Sequence, residues 1–136
     1  MTVGTAFHRR LLPLNEKMAW REWAGCFAAS AYHDSPVIEY NAIREAAALI
    51  DVSPLFKYEV RGPDALRLVD RVIVRDATRL TPGRVVYTPW CDEHGKVIDD
   101  GTVARLEDRD GAPAIRWTAA DPQLRWLRRN ADGLHR

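Results

Sequence analysis

Apolar positions recur with two periods along this chain, and the change of period marks its elements. Over residues 38–50, Tyr40, Ile43, Ala47 and Ile50 recur at helical spacing around the strong helix formers Ala46, Ala47 and Ala48. Asp34-Ser35-Pro36 suits the approach to such a helix, and Ser53-Pro54 breaks it. Residues 56–61, Phe-Lys-Tyr-Glu-Val-Arg, alternate apolar and polar, the pattern of a half-buried strand. Gly62-Pro63-Asp64 punctuates it and puts Pro at the first helical position, where its missing N–H costs nothing. Leu66, Val69 and Val72 or Ile73 then predict an amphipathic helix to about residue 73. Thr81-Pro82-Gly83 is a turn, and strands are expected at 84–91 and 97–106 around the hairpin loop Asp92-Glu93-His94-Gly95-Lys96. Asp108-Arg109-Asp110-Gly111 is a second hairpin signal, followed by a strand over 113–119 and a final helix after Asp121-Pro122, with Leu124 and Leu127 on one face.

Hairpin-linked strands with flanking helices predict an α+β fold with a largely antiparallel sheet. The chain is divided into an aromatic-rich N-terminal segment (1–38), an α+β region (39–131) and a short tail (132–136). The first segment is expected to be irregular, with a short helix near Leu14–Met18. Its Phe7, Trp20, Trp23, Phe27 and Tyr32 make it too apolar for a disordered tail, so it is expected to pack against something.

At 136 residues, 46% hydrophobic and 29% charged, the composition is that of a globular protein with enough apolar residues to build a core. A net charge of +1 gives no electrostatic footprint for nucleic acid or a membrane surface. No run of roughly 18 apolar residues predicts a membrane span, and the N-terminus lacks the apolar stretch of a signal peptide. Cys26 and Cys91 lie far apart without a CxxC spacing, which predicts free thiols and a cytoplasmic location. His8, His33, His94 and His135 form no close pair, so no metal site is expected. No phosphate-binding or dinucleotide-binding glycine motif, serine elbow or zinc-protease motif is present.

The informative feature is Asp99-Asp100 inside a predicted strand, where Asp is normally avoided because its side chain competes for backbone hydrogen bonds. Alternation puts Ile98, Asp100, Thr102, Ala104 and Leu106 on one face, and Val97, Asp99, Gly101, Val103 and Arg105 on the other. Both faces are partly apolar, so at least one carboxylate is expected to be part-buried and to need hydrogen-bond partners. A five-residue loop of 92–96 would set Thr88 opposite Asp100 and Tyr87 opposite Gly101; a one-residue slip would set Tyr87 opposite Asp100.

Four blocks, in order, resemble the N-terminal part of the glycine cleavage system T-protein family, the tetrahydrofolate-dependent aminomethyltransferases. They are Leu12-Pro-Leu-Asn-Glu-Lys17 with Trp23-Ala-Gly25; Glu39 through Asp51-Val-Ser53; Val60-Arg-Gly-Pro-Asp-Ala65; and Leu80-Thr-Pro-Gly-Arg84 through Tyr87 to Gly95-Lys-Val-Ile-Asp-Asp100. The resemblance implies that Asp100 contacts the pterin of folate and acts in the transfer, and that Tyr87 lines the same pocket. It implies tetrahydrofolate as cofactor, a small amine or methyl donor, and a lipoyl-carrier protein as a possible partner. The sequence departs from the family at Pro54-Leu55, where His-Met is usual, at Lys96, where a second Gly is usual, and at Gly101, where Leu is usual. These departures bear on the donor more than on the folate.

Members of that family have three domains around a central folate channel, so the chain is expected to be an incomplete N-terminal part of that fold, inactive by itself, with aromatics of residues 7–32 left partly exposed. Three functions compete: the folate-binding region of an aminomethyl- or methyltransferase, including the related demethylases; a folate-binding accessory protein of the same superfamily; and an inactive remnant.

Overall fold

A computed structural model describes residues 1–108 and 110–134; Arg109, in the second predicted hairpin, and His135 and Arg136, in the predicted tail, lie outside the described residues. The described chain is α+β, with largely antiparallel sheets and packed helices, as the patterning predicts. It divides into two compact units, Met1–Pro54 and Leu55–Arg136.

The first unit is more ordered than its sequence suggests. Strands β1 (Val3–Gly4), β2 (Ala19–Trp23) and β3 (Cys26–Ala31) form a sheet of order β1-β3-β2. Ala24 and Gly25 have φ of 48° and 81°, which closes β2 onto β3 through a two-residue turn whose twist matches that of the strands. The Gly25 amide donates to the Glu22 carboxylate across the turn. The helical turn expected at Leu14–Met18 lies earlier, as α1 (His8–Leu11) continued by a 3-10 turn over Leu12–Leu14. Pro13 sits within that 3-10 turn, where its missing N–H is tolerated.

Helix α2 (Pro36–Glu45) takes Pro36 into its first turn, starting two residues before the expected 38, and stops five residues short of the expected end at 50. Ala46 leaves the helical region at φ −134°, ψ −112°. No residue of α2 is buried, and tertiary packing, not alanine propensity, is what sustains short helices. Glu39 holds the approach to α2: its carboxylate accepts from the backbone N–H groups of Tyr32 and His33, both at 2.8 Å. Those bonds hold its pKa below the usual carboxylate value.

The second unit contains β4 (Phe56–Arg61), α3 (Ala65–Val72), β5 (Val85–Cys91), β6 (Val97–Arg105), β7 (Ala114–Ala119) and α4 (Leu124–Asn130), close to the predicted boundaries. Its sheet has the order β4-β7-β6-β5, with every neighbour antiparallel. Ala65, Leu68, Val69 and Val72 form the buried stripe of α3 at the spacing that an amphipathic helix requires. Beneath it Trp90 and Trp117 meet edge to face, ring centroids 4.6 Å apart at 70°, a contact worth about 1 kcal/mol beyond the area buried. Ile115, Val103 and Val69 complete the fully buried apolar centre.

Gly101 is required by this packing. A Cβ there would lie 2.0 Å from the Thr118 carbonyl oxygen and 3.3 Å from the Trp90 ring. A side chain as large as Leu has no room. Gly101→Ala is expected to cost about 3 kcal/mol, the upper end of overpacking, and to lower the thermal midpoint by more than about 10 °C for a unit of this size. Differential scanning calorimetry checks it. An unchanged midpoint would mean that the strands yield at this point.

Candidate functional site

The site's geometry begins with one extra residue. Cys91 pairs with Val97, but the next pair is Trp90 with Asp99, so Ile98 is left over in β6 as a bulge. Every pair beyond it is shifted: Pro89 lies opposite Asp100, Thr88 opposite Gly101, and Tyr87 opposite Thr102. Neither register considered from the sequence is adopted. The shift changes which β5 residues share a face with Asp100, because opposed residues point to the same side of a sheet. Without the bulge Thr88 would join Asp100; with it, Tyr87 and Pro89 do. Thr88 and Trp90 turn inward and are fully buried.

The two adjacent aspartates consequently have different surroundings. Asp99 points to the core side at the end of the sheet and is half-buried. Its Oδ2 accepts from the Asp121 backbone N–H at 3.1 Å and from Gln123 Nε2 at 3.2 Å, while Oδ1 accepts from the Asp100 N–H at 2.8 Å. Gln123 is buried, and its backbone N–H donates to the Tyr58 hydroxyl at 2.9 Å. Asp99 therefore fastens the segment that leads into α4. The expectation of a part-buried carboxylate with partners applies to Asp99.

Asp100 is exposed on the opposite face, beside Tyr87, which is 60% exposed. Hydrogen bonding to the Asp100 carboxylate is the largest cause of a raised Tyr87 pKa; desolvation and then the negative charges of Asp100 and Asp99 add to it. Thr102 stands directly opposite Tyr87, and Thr118 opposite Thr102, so the same face carries two hydroxyls next to the carboxylate–phenol pair. Arg75 closes the strand's outer side: its Nε donates to the Tyr87 carbonyl at 3.2 Å and its backbone N–H to Thr88 Oγ1 at 3.3 Å. Alternation in the sequence already set Thr102 on the face of Asp100; Arg75 and Thr118 carried no signal there, since only the strand pairing brings them to this face. An exposed carboxylate with hydroxyls beside it can accept hydrogen bonds from a polar ring and orient it.

Elsewhere the first unit has a cleft of about 320 Å³ lined by Trp20, Phe27, Tyr32 and Ile43 among others, in which the His8 ring packs 4.7 Å from that of Trp20. The second unit has clefts of about 500 Å³ and 240 Å³ on its helical side. Tyr87 and Asp100 line none of these three. Cys26 and Cys91 are free thiols. Among the described residues no cluster of His, Cys, Asp and Glu could hold a metal ion, and no helix is long and apolar enough to cross a membrane.

Residues 13–135 match the GCVT N-terminal domain family. The chain is 38% identical over 133 residues to the trimethylamine-oxide aldolase of Ruegeria pomeroyi, covering 96% of this chain and 16% of that protein. It is 38% identical over 105 residues to the aminomethyltransferase of Symbiobacterium thermophilum, covering 76% and 28%, and 32% identical over 128 residues to that of Methylococcus capsulatus, covering 93% and 35%. The chain thus spans between 16% and 35% of the length of these relatives. The crystal structure of glycine cleavage system aminomethyltransferase T from Bartonella henselae has the same fold, with a TM-score of 0.79 over 95% of this chain and 35% of that one, at 20% identity.

Two outcomes follow from the different surroundings of the aspartates. Asp99→Ala strips the acceptor from the start of α4 and is expected to cost about 1–2 kcal/mol, whereas Asp100→Ala stays within about 0.5 kcal/mol of wild type; urea denaturation measures both. In Asp100→Asn, Tyr87 loses the main cause of its raised pKa and should ionise at lower pH than in wild type, as followed by the ring resonances in an NMR titration. The sign for stability follows: the folded protonated phenol contributes fully below the ordinary tyrosine pKa of about 10 and its contribution is lost as pH rises through the raised value. An unshifted Tyr87 titration in Asp100→Asn would remove Asp100 as the cause.

Proposed function

The chain belongs to the GCVT N-terminal domain family, and from that premise we propose that it forms the folate-facing N-terminal part of a tetrahydrofolate-dependent aminomethyltransferase, moving a one-carbon unit from an amine or methyl donor to tetrahydrofolate. The observation that carries this reading is the bulge at Ile98, which brings Tyr87 to the face of Asp100 while Asp99 is engaged on the other.

The residues present fit the pterin in donor chemistry. A pterin ring offers N–H donors at its edge, and Asp100 is an exposed acceptor with a phenol beside it. Bound tetrahydrofolate supplies the nitrogen that takes up the one-carbon unit. Asp100 accepts from a ring N–H, fixes the orientation of the ring and takes or returns a proton at its carboxylate as transfer proceeds. Tyr87 holds the Asp100 carboxylate through its hydroxyl and offers its ring as a side wall. A fixed negative charge acts most strongly where water is excluded. On the open sheet face of this chain, that exclusion needs walls from the further polypeptide that the longer relatives carry, and the donor site and any lipoyl-carrier contact belong there too.

Titration of tetrahydrofolate into the chain, followed by tryptophan fluorescence, tests the assignment. Asp100→Ala is expected to weaken binding about tenfold or more, the loss of one hydrogen bond to a charged group; the folded fraction of Asp99→Ala should bind as wild type does. Equal and negligible effects of the two substitutions would sink it. The chain alone is expected to show little or no turnover with either donor class, and clear folate-dependent turnover would show that further walls are dispensable.

A further inference from the structure

The outward face of the four-stranded sheet carries its side chains in rows, and the register fixes their spacing. Tyr87, Thr102 and Thr118 stand side by side on β5, β6 and β7. Val85, Ala104 and Arg116 form the next row, with Glu59 of β4 at its end. Ile115 and Trp117, the neighbours of Arg116 in the chain, are fully buried, so alternation puts Arg116 on the solvent face with Asp100. Along β6, Asp100 comes four residues before Ala104, the partner of Arg116. At a strand's rise per residue, the Arg116 row lies ~13 Å from Asp100 along the sheet, with the Tyr87 row midway.

Arg116 is also the cation that this face leaves unpaired. It is exposed and has no hydrogen-bond or ion-pair partner among the described residues. Glu59, directly opposite, is held by Arg61, whose Nε lies 2.7 Å from its Oε1. Lys57, opposite Thr118, already has an interaction partner. Arg75, at the edge of β5, donates its Nε to the Tyr87 carbonyl. With Glu59 balanced by Arg61, the charge of Arg116 is left over for a ligand.

Tetrahydrofolate extends beyond its pterin: a p-aminobenzoyl linker joins the ring to a glutamate with free carboxylates. With the pterin N–H edge at Asp100, a ligand laid along β6 and β7 carries its linker over the Tyr87–Thr102 row and its carboxylates to the Arg116 row. We propose that Arg116 pairs with a glutamyl carboxylate of tetrahydrofolate and so determines specificity, selecting a pterin with an anionic tail over a bare pterin. The planar guanidinium matches a carboxylate in a two-pronged contact. This assignment rests on the folate reading of Asp100 and Tyr87 and adds the opposite end of the same ligand to it.

Isothermal titration calorimetry of the full 136-residue chain with tetrahydrofolate and with a tetrahydropterin that lacks the linker and glutamate is the test, run at low and at high salt. Wild type is expected to bind tetrahydrofolate more tightly than tetrahydropterin, with the difference shrinking as salt rises. Arg116→Gln should weaken tetrahydrofolate binding about fivefold at low salt, the upper range of an exposed ion pair, and leave tetrahydropterin binding unchanged. Arg116→Lys, which keeps the charge without the fork, should recover part of the loss. Position 116 is exposed, and circular dichroism confirms that each variant is folded. An Arg116→Gln chain that binds both ligands as wild type does overturns the proposal and leaves the Asp100 assignment standing. So does equal weakening of both ligands, or a selective loss in Lys57→Gln that Arg116→Gln does not show. A wild type that binds neither ligand overturns the folate reading and this assignment with it.

Discussion

One leftover residue decides what the sheet of the second unit presents on each side. If β5 and β6 paired without the bulge at Ile98, Trp90 would point away from the core and Tyr87 would join the Gly101 side. With it, Trp90 turns inward to meet Trp117 at 4.6 Å and Tyr87 comes out beside Asp100. The inward Trp90 in turn presses on the position of Gly101, where the Thr118 carbonyl leaves no room for a side chain. Core packing and the polar face are therefore two consequences of one register shift, and a change that removes the bulge would alter both. Bulges beside functional faces re-aim side chains in this manner.

The two units differ in how they are held. Trp90, Trp117, Ile115, Val103 and Val69 give the second unit a closed apolar centre. Among the described residues of the first unit no aliphatic or aromatic side chain is fully buried, and Phe27, Tyr40, Ile43 and Ile50 stay exposed. Its order rests on single hydrogen-bonding devices: the Ala24-Gly25 turn, the Glu39 carboxylate on two backbone amides, and the long-range bond from the Thr5 hydroxyl to Asp51 at 2.6 Å. Hydrogen bonds of this kind contribute about 1 kcal/mol each, far less than a core. Of the aromatics in residues 7–32, Phe7 and Phe27 are exposed, while Trp20, Trp23 and Tyr32 are half-buried.

The second unit was legible because its signals agree with one another. Alternation at 56–61, the Gly62-Pro63-Asp64 break and the loop 92–96 all point to the elements that form, although α3 begins at Ala65, so Pro63 precedes its N-cap Asp64 instead of taking the expected first helical position. The hairpin of β2 and β3 was missed because Cys-Phe-Ala-Ala-Ser-Ala has little strand propensity and its turn relies on Ala24, a residue seldom found at positive φ. The length of α2 was overestimated because Ala46, Ala47 and Ala48 favour helix by propensity, while α2 itself has no buried residue to extend it by packing. The separation of Asp99 from Asp100 followed from alternation alone. The partner of Asp100 did not, because Ile98 fits a regular strand as readily as a bulge, and only the Trp90–Trp117 packing decides between them.

Our central claim is that Asp100 and Tyr87, and not Asp99, meet the folate. The most direct measurement is a carbon-13 NMR titration of the side-chain carboxyls and aromatic rings of this chain with tetrahydrofolate, which detects even weak binding. The account predicts shifts at Asp100, Tyr87 and Thr102 that saturate together, with Asp99 and Gln123 unmoved. Shifts at Asp99 and Gln123 with Asp100 unmoved would contradict it.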